Sequence, residues 1–253
     1  MEILAVIPAR YDSQRFPGKP LVMIDNRPMV QWVYEAAKSC PAFSKVVVAT
    51  DSQLVADCVE QFGGAVEMTS SAHQTGTDRV AEVALRYPQM TAIANVQGDQ
   101  PFVTGEMLTQ LVAPYLEGKS PDMTTLACPL EQEPDYFNPN VVKVLCDRHN
   151  RALYFSRSPI PYYRHPGSAP VFHHLGLYAF RQDFLATYAQ LTPTPLEHCE
   201  ALEQLRVLEN GYSIHVCQTE KLVIEINTPT DLLQAQSFIA KSVAIHPHLS
   251  SAK

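Results

Sequence analysis

The sequence predicts an α/β fold: a mostly parallel sheet with helices on both faces and a smaller inserted lobe. Short apolar runs alternate with helical patterns from Ile3 to Val96, and those runs are continuous rather than alternating, as expected of strands buried on both faces. A length of 253 residues is ample for one such domain with a lobe attached.

The elements follow in order. Ile3 to Ile7 is a buried strand stopped by Pro8, and a polar stretch from Arg10 to Lys19 comes next. Pro28 opens a helix through Val30, Val33, Ala36 and Ala37, since proline suits a first turn. Val46 to Ala49 is the second strand. Thr50-Asp51-Ser52 then supplies a cap for a helix marked by Leu54, Val55, Cys58, Val59 and Phe62 and ended by Gly63-Gly64. Ala65 to Met68, the loop Thr69 to Gly76, a helix through Val80, Val83, Ala84 and Leu85, and the strand Ala92 to Val96 repeat the unit. From about 121 to 180 the runs shorten (Met123 to Cys128, Val141 to Cys146, Gly176 to Phe180) between proline-rich loops. This texture predicts a smaller lobe with antiparallel strands over 121–180, inserted into a main domain of 1–120 and 181–245, with 246–253 as a tail. A helix over Glu200 to Glu209, a strand from Ser213 to Cys217 and a last helix near Thr228-Pro229 complete the pattern.

Composition narrows the function. Nineteen Lys+Arg against 26 Asp+Glu leave a net charge of -7, so no broad basic surface is available to hold a nucleic acid. No run approaches the roughly 20 apolar residues of a membrane helix, and Met1-Glu2-Ile3 lacks the basic start of a signal peptide, so a cytoplasmic protein without a membrane partner is expected. The six cysteines are scattered without a CxxC pair and read as buried small hydrophobes. Only 10 glycines are present, which leaves few places where backbone can approach a phosphate closely.

Ligands of open α/β sheets lie beyond the carboxyl ends of the strands, where the loops Pro8 to Pro20 and Gln97 to Pro101 fall. The first loop carries Arg10, Arg15 and Lys19, two guanidinium forks and an ammonium spaced to surround a polyphosphate. It is not a Walker A loop, because Pro20 follows Lys19 where Ser or Thr is required and Ser13 occupies the first glycine position. In the second loop Asp99, between Gly98 and Gln100-Pro101, is a hard oxygen ligand suited to a divalent cation on phosphate.

Several strings together resemble the 3-deoxy-manno-octulosonate (Kdo) cytidylyltransferases, or CMP-Kdo synthetases. They are Ile7 to Leu21, Val48 to Asp51, Met68-Thr69, Gly76 to Arg79, Asn95 to Pro101, Ala152 to Arg157, His174 to Gly176 and Leu202 to Arg206. The resemblance spans residues 3 to about 235. It implies a Rossmann-like fold of the nucleotide-diphospho-sugar transferase type, with CTP and Kdo as substrates and CMP-Kdo and pyrophosphate as products. It also implies lipopolysaccharide biosynthesis as the setting, Mg2+ as cofactor and a homodimer whose contact lies in the smaller lobe.

By the same resemblance Pro8, Ala9, Arg10, Ser13, Arg15, Gly18, Lys19 and Thr77 bind the nucleotide, with Lys19, Arg10 and Asp99 catalytic. Asp99 and Asn227 hold the metal. Arg79, Gln97, Arg157, His174, Tyr178, Glu203 and Gln204 bind the sugar acid. The residues taken alone leave other roles open: Glu203 and Gln204 on a solvated helix, His174 as a satisfied core histidine. His173 is expected to be structural, and His73, His149, His165 and His215 have no ligand spacing.

The chain departs from the family pattern twice. Asn227 stands where the family has a metal-binding aspartate, with Glu225 two residues away as a substitute, and Gln100 stands where many members have glutamate. Relatives with glutamine there activate the 8-amino analogue of Kdo, which keeps that sugar as an alternative substrate. A cytidylyltransferase for another sugar acid, such as a sialic acid, and a non-catalytic nucleotide-binding homologue are further alternatives.

Overall fold

The computed structural model describes residues 1–12, 16–165, 167, 169–223 and 225–236. Ser13, Arg15 and the expected tail 246–253 lie outside these residues.

The first strand, β1 (Ile3–Pro8), is followed by a 3-10 turn (Lys19–Leu21) and a two-stranded ribbon, β2 (Met23–Ile24) and β3 (Arg27–Pro28). Asp25 and Asn26 both have positive φ at the turn of this ribbon, as a tight hairpin requires. Next come α1 (Met29–Lys38), β4 (Lys45–Thr50), α2 (Gln53–Gln61), β5 (Val66–Met68), α3 (Gly76–Ala84), β6 (Ala92–Asn95), α4 (Gly105–Leu116) and β7 (Met123–Pro129). The remainder is α5 (Glu133–Phe137), β8 (Lys143–Cys146), β9 (Ala152–Ser156), β10 (Phe172–Arg181), α6 (Gln182–Tyr188), α7 (Pro195–Glu200), α8 (Leu205–Glu209) and β11 (Ile214–Gln218). Residues 229–236 are helical.

The sheet order is β11-β7-β10-β6-β1-β4-β5, with β8 and β9 attached off this path. All neighbours on the path are parallel except β10, which is antiparallel to both β6 and β7. Alternate side chains of β1 feed opposite layers. Ile3, Ala5 and Ile7 pack with α1, α2 and α4, while Leu4 and Val6 pack with α3, α6 and α8. Helices therefore cover both faces, as the continuous apolar runs require.

The stretch 121–180 is not an inserted lobe separate from the main sheet. β7 and β10 run through the sheet between β11 and β6, and only β8 and β9 branch away. One long strand serves both pairings: the start of β10 pairs with β8 at Phe172 and His173, and its end pairs with β6 from Tyr178 to Arg181. The helix expected over Glu200 to Glu209 is also divided. Ala201 takes a left-handed conformation (φ 51°, ψ 51°) that ends α7, and α8 begins at Leu205. Cys199 is exposed, contrary to the burial expected of the cysteines, because it lies on the outer side of the short α7. All six cysteines are free thiols.

Candidate active site

The parallel neighbours β1 and β6 end together and deliver Pro8-Ala9-Arg10 beside Gln97-Gly98-Asp99. Their loops touch: a Cβ on Gly98 would stand 2.7 Å from the Pro8 carbonyl oxygen, so glycine is what lets the backbones pass. Gly76, whose Cβ would stand 3.3 Å from Pro8 Cγ, brings the start of α3 against the same point. A capping box between Thr75 and Asp78 starts that helix and presents Thr77.

On the cationic side, Arg10 Nη2 donates to the His73 carbonyl at 2.6 Å. Gly18, at φ 71°, turns the chain so that Lys19 opens the 3-10 turn. Lys19 Nζ then donates to Asp99 Oδ2 at 2.8 Å and Asn227 Oδ1 at 3.1 Å. Asn227 is brought there by the Ile226 N–H, which donates to the Asp99 carbonyl at 2.9 Å, and by Asp231, whose carboxylate accepts from the N–H groups of Asn227 and Thr228. A small apolar cluster of Ile24, Met29, Ile226 and Ala235, flanked by Phe16, Trp32, Phe102 and Leu232, holds this segment to the N-terminal loop.

Glu225 lies beside Asn227 in this corner. Its Oε1 accepts from Gln100 Nε2 at 3.0 Å and its Oε2 from Asn227 Nδ2 at 3.1 Å, and among the described residues neither oxygen bonds Lys19. The residue as a whole is exposed. Partial desolvation of its carboxylate and the nearby charge of Asp99 nonetheless push its pKa upward, against the two amide donors. Gln100 also donates to the Leu175 carbonyl at 2.8 Å, and its buried Oε1 has no partner among the described residues.

The sugar-side candidates form two hydrogen-bonded chains. In the first, Tyr178 Oη donates to Gln204 Oε1 at 3.1 Å, Gln204 Nε2 lies 3.4 Å from His174 Nδ1, and His174 Nε2 lies 2.9 Å from Thr125 Oγ1. Thr125 spends its single hydroxyl hydrogen on the Leu177 carbonyl at 2.7 Å, so His174 carries its hydrogen on Nε2 and accepts at Nδ1. Burial pushes the His174 pKa down to about 3, which keeps the ring neutral, and burial raises that of Tyr178. In the second chain Thr77 Oγ1 donates to Glu203 Oε2 at 3.2 Å, Asn95 Nδ2 to Thr77 Oγ1 at 3.3 Å and Gln97 Nε2 to Asn95 Oδ1 at 3.4 Å. Burial raises the pKa of Glu203, partly offset by Thr77. Because the helix breaks at Ala201, Glu203 and Gln204 point inward from a turn rather than outward from a solvated helix.

The two sugar-side arginines each have protein partners outside these chains. Arg79 is fully buried and binds Asp51 at 2.9 Å and the Thr69 hydroxyl, tying the ends of β4 and β5 together. Arg157 lays its guanidinium on three carbonyls: Glu200 at 2.7 Å, Pro139 at 3.0 Å and Ala201 at 3.4 Å. Neither joins the chains around His174 and Glu203. Sequence reading missed Thr125, Asn95 and Asp231. Asn95 alone had a signal, a polar residue inside an apolar strand.

A cation fits the Lys19 corner. Two oxygens, one from a carboxylate and one from an amide, converge on the ammonium of Lys19, a donor set of the hard kind that Mg2+ takes. Among the described residues no cluster of three or more His, Cys, Asp or Glu could hold a metal, so such an ion would rest on few protein ligands.

Comparison with known proteins locates the chain. A family model described as Cytidylyltransferase matches residues 4–221. A 3-deoxy-manno-octulosonate cytidylyltransferase of Acaryochloris marina is 69% identical over 243 residues, covering 96% of this chain and 99% of the relative. The chain belongs to the Kdo cytidylyltransferase family. Another protein of that name, from Synechococcus elongatus, is 53% identical over 95% of this chain and 99% of its own. Among solved structures, a CMP:2-keto-3-deoxy-manno-octonic acid synthetase complexed with CTP superposes with a TM-score of 0.91 at 36% identity, covering 96% of this chain and 100% of that one. The 4-diphosphocytidyl-2C-methyl-D-erythritol synthase of Anaerococcus prevotii shares the fold (TM-score 0.61) at 13% identity over 94% of this chain and 98% of its own. In this chain His174 and Tyr178 stand on β10, which runs antiparallel to its neighbours β6 and β7.

Proposed function

We propose that this protein transfers the cytidylyl group of CTP to Kdo, giving CMP-Kdo and pyrophosphate for lipopolysaccharide biosynthesis. The observation that carries the reading is the meeting of a cation corner (Lys19, Asp99, Asn227) and a polar sugar-side pair of chains (His174, Tyr178, Gln204; Thr77, Glu203) at the carboxyl ends of adjacent strands. Arg10 and Lys19 neutralise the triphosphate, with Pro8, Ala9, Gly18 and Thr77 shaping its bed. Asp99 and the Asn227 carbonyl would hold Mg2+, which when bound neutralises phosphate oxygens. Glu203, Gln204, Tyr178 and His174 orient the sugar so that its anomeric hydroxyl attacks the α-phosphorus in line and pyrophosphate leaves. Orientation and charge carry most of the acceleration.

Pyrophosphate release from CTP, followed with and without Kdo, tests this. Release that needs Kdo and is lost about 100-fold or more in Lys19→Ala agrees with the scheme, since removal of one transition-state charge donor costs that much. Release independent of Kdo, or near-normal turnover in the variant, refutes it. A second reading, the 8-amino analogue as substrate, is favoured by Gln100, whose buried Oε1 is an acceptor without a partner among the described residues. Parallel turnover of both sugars decides between them.

Homodimer formation is supported by an aromatic cavity of about 490 Å³ lined by Tyr136, Phe137, Tyr162, Tyr163, Leu130 and Val171, with Phe137 and Tyr162 exposed. Sedimentation of the wild type against Tyr162→Glu tests that contact. A cytoplasmic site of action is consistent with the described helices, none of which is long and apolar enough to cross a membrane.

A further inference from the structure

We infer that Glu225 is a positioning residue: it turns the amide of Asn227 so that this uncharged side chain serves a divalent cation as an oxygen ligand. The inference rests on the cation corner of the proposed reaction.

An asparagine amide has a donor end and an acceptor end, and its neighbours decide which one faces a cation. A carboxylate can only accept, so Glu225 Oε2, 3.1 Å from Asn227 Nδ2, holds the NH₂ end. The carbonyl end is thereby turned to Lys19 Nζ at 3.1 Å, in the same corner as Asp99 Oδ2. Glu225 is itself fixed, because its other oxygen accepts from Gln100 Nε2, which the Leu175 carbonyl also holds. Gly176 lies alongside this exchange, a Cβ there standing in ordinary contact at 3.6 Å from Glu225 Oε1. Glu225 therefore acts one layer behind the ligand. Its negative charge polarises the amide and enriches the electron density of the oxygen presented to the cation, as carboxylates behind metal ligands do.

This arrangement makes the family's own aspartate unsuitable here. An aspartate at 227 would set two carboxylates at hydrogen-bond distance with no hydrogen between them, beside the charge of Asp99. The effects of the two positions must then depend on each other in sign.

The test is the Mn2+ affinity of the sugar-free complex with CTP, read by electron paramagnetic resonance and corrected for Mn2+ held by CTP alone, alongside the Mg2+ dependence of turnover. Glu225→Gln should weaken Mn2+ about 10–100-fold, the usual effect of losing such an outer partner. Asn227→Asp alone should also weaken it despite adding a negative charge. The double variant, in which a glutamine at 225 can donate to an aspartate at 227, should return to within a few-fold of wild type. Unchanged affinity in Glu225→Gln, tighter binding in Asn227→Asp, or no Mn2+ binding by the wild-type complex overturns the inference. Should Glu225→Gln fail to fold, Asn227→Asp carries the test by itself. Wild-type CMP-sugar synthesis, measured in the same samples, separates this outcome from failure of the proposed reaction.

Discussion

At Lys19 one side chain does the work of an ion. Its ammonium lies between Asp99 and Asn227, where it balances a partly buried carboxylate. With no triphosphate to draw it away, this ammonium competes with a metal for the corner, so Lys19→Met should let the nucleotide-free protein bind Mn2+ at least about 10-fold more tightly than wild type, as relief of a like charge at such range is worth more than about 1.4 kcal/mol. Equal affinity in a direct titration would show that Lys19 does not occupy the cation position. Gly98 has a steric role: Gly98→Ala drives a methyl group into the Pro8 carbonyl and should cost about 1–3 kcal/mol in chemical denaturation. His174 couples the site to pH. The unfolded ring takes a proton near its ordinary pKa of 6.5, whereas the folded ring resists protonation down to about 3. The native state therefore loses stability as the pH falls through that window, by up to about 1.4 kcal/mol per unit. The stability advantage of wild type over His174→Gln should shrink between pH 7 and pH 4 in urea titrations. At this scale the sequence was informative about residues in local strings, since Lys19 and Asp99 lie in motif loops that meet. It did not show the protein partners of Arg79 and Arg157, which are Asp51 and Thr69 for the first and carbonyls including those at the end of α7 for the second. Those groups are brought close only by the folded chain.

Among the elements, the break between α7 and α8 shapes the sugar side. Leu202, Leu205 and Leu208 repeat every third residue and read equally well as one continuous helix, which is why the sequence concealed the turn. The turn is enforced from outside the repeat. Glu197, which accepts from the Thr194 N–H at the start of α7, also receives Arg206 of α8 at 2.5 and 2.8 Å, so the two short helices fold back on each other. This buried pair, stacked against the Tyr188 ring, holds Ala201 in a conformation that disfavours a Cβ. Ala201→Gly should raise the free energy of unfolding by up to about 1 kcal/mol with turnover preserved, and Ala201→Val should lower both. β10 is a second element that the sequence presented only in part. Gly176 to Phe180 was legible as an apolar run. Phe172 to Leu175 was not, because His173 and His174 interrupt it and only the pairing with β8 and β7 extends the strand.

Across the whole molecule, the alternation of strand and helix up to Val96 was legible because each buried strand needs nothing beyond its own apolar run. The placement of β7 and β10 inside the sheet was not, because short runs between prolines look alike whether they join a central sheet or build a lobe. The charge is arranged at the same scale: a protein of net charge -7 keeps Arg10 and Lys19 at one end of the sheet, so an anion is drawn to one place. The C-terminal segment is held by its own small cluster, apart from the two cores that sandwich the sheet. Ile226→Ala should therefore speed hydrogen exchange at the Ile226 amide, bonded to the Asp99 carbonyl, while the global denaturation midpoint moves much less.

The bond from Lys19 to Asn227 joins positions 208 residues apart in the chain. Chains grow from the amino end, and domains fold as units. A ribosome-borne chain that has completed β11 contains every described strand of the sheet, together with Lys19 and Asp99, before the residue that closes the cation corner has been made. The last contact of the site is therefore also among the last parts of the chain to be synthesised.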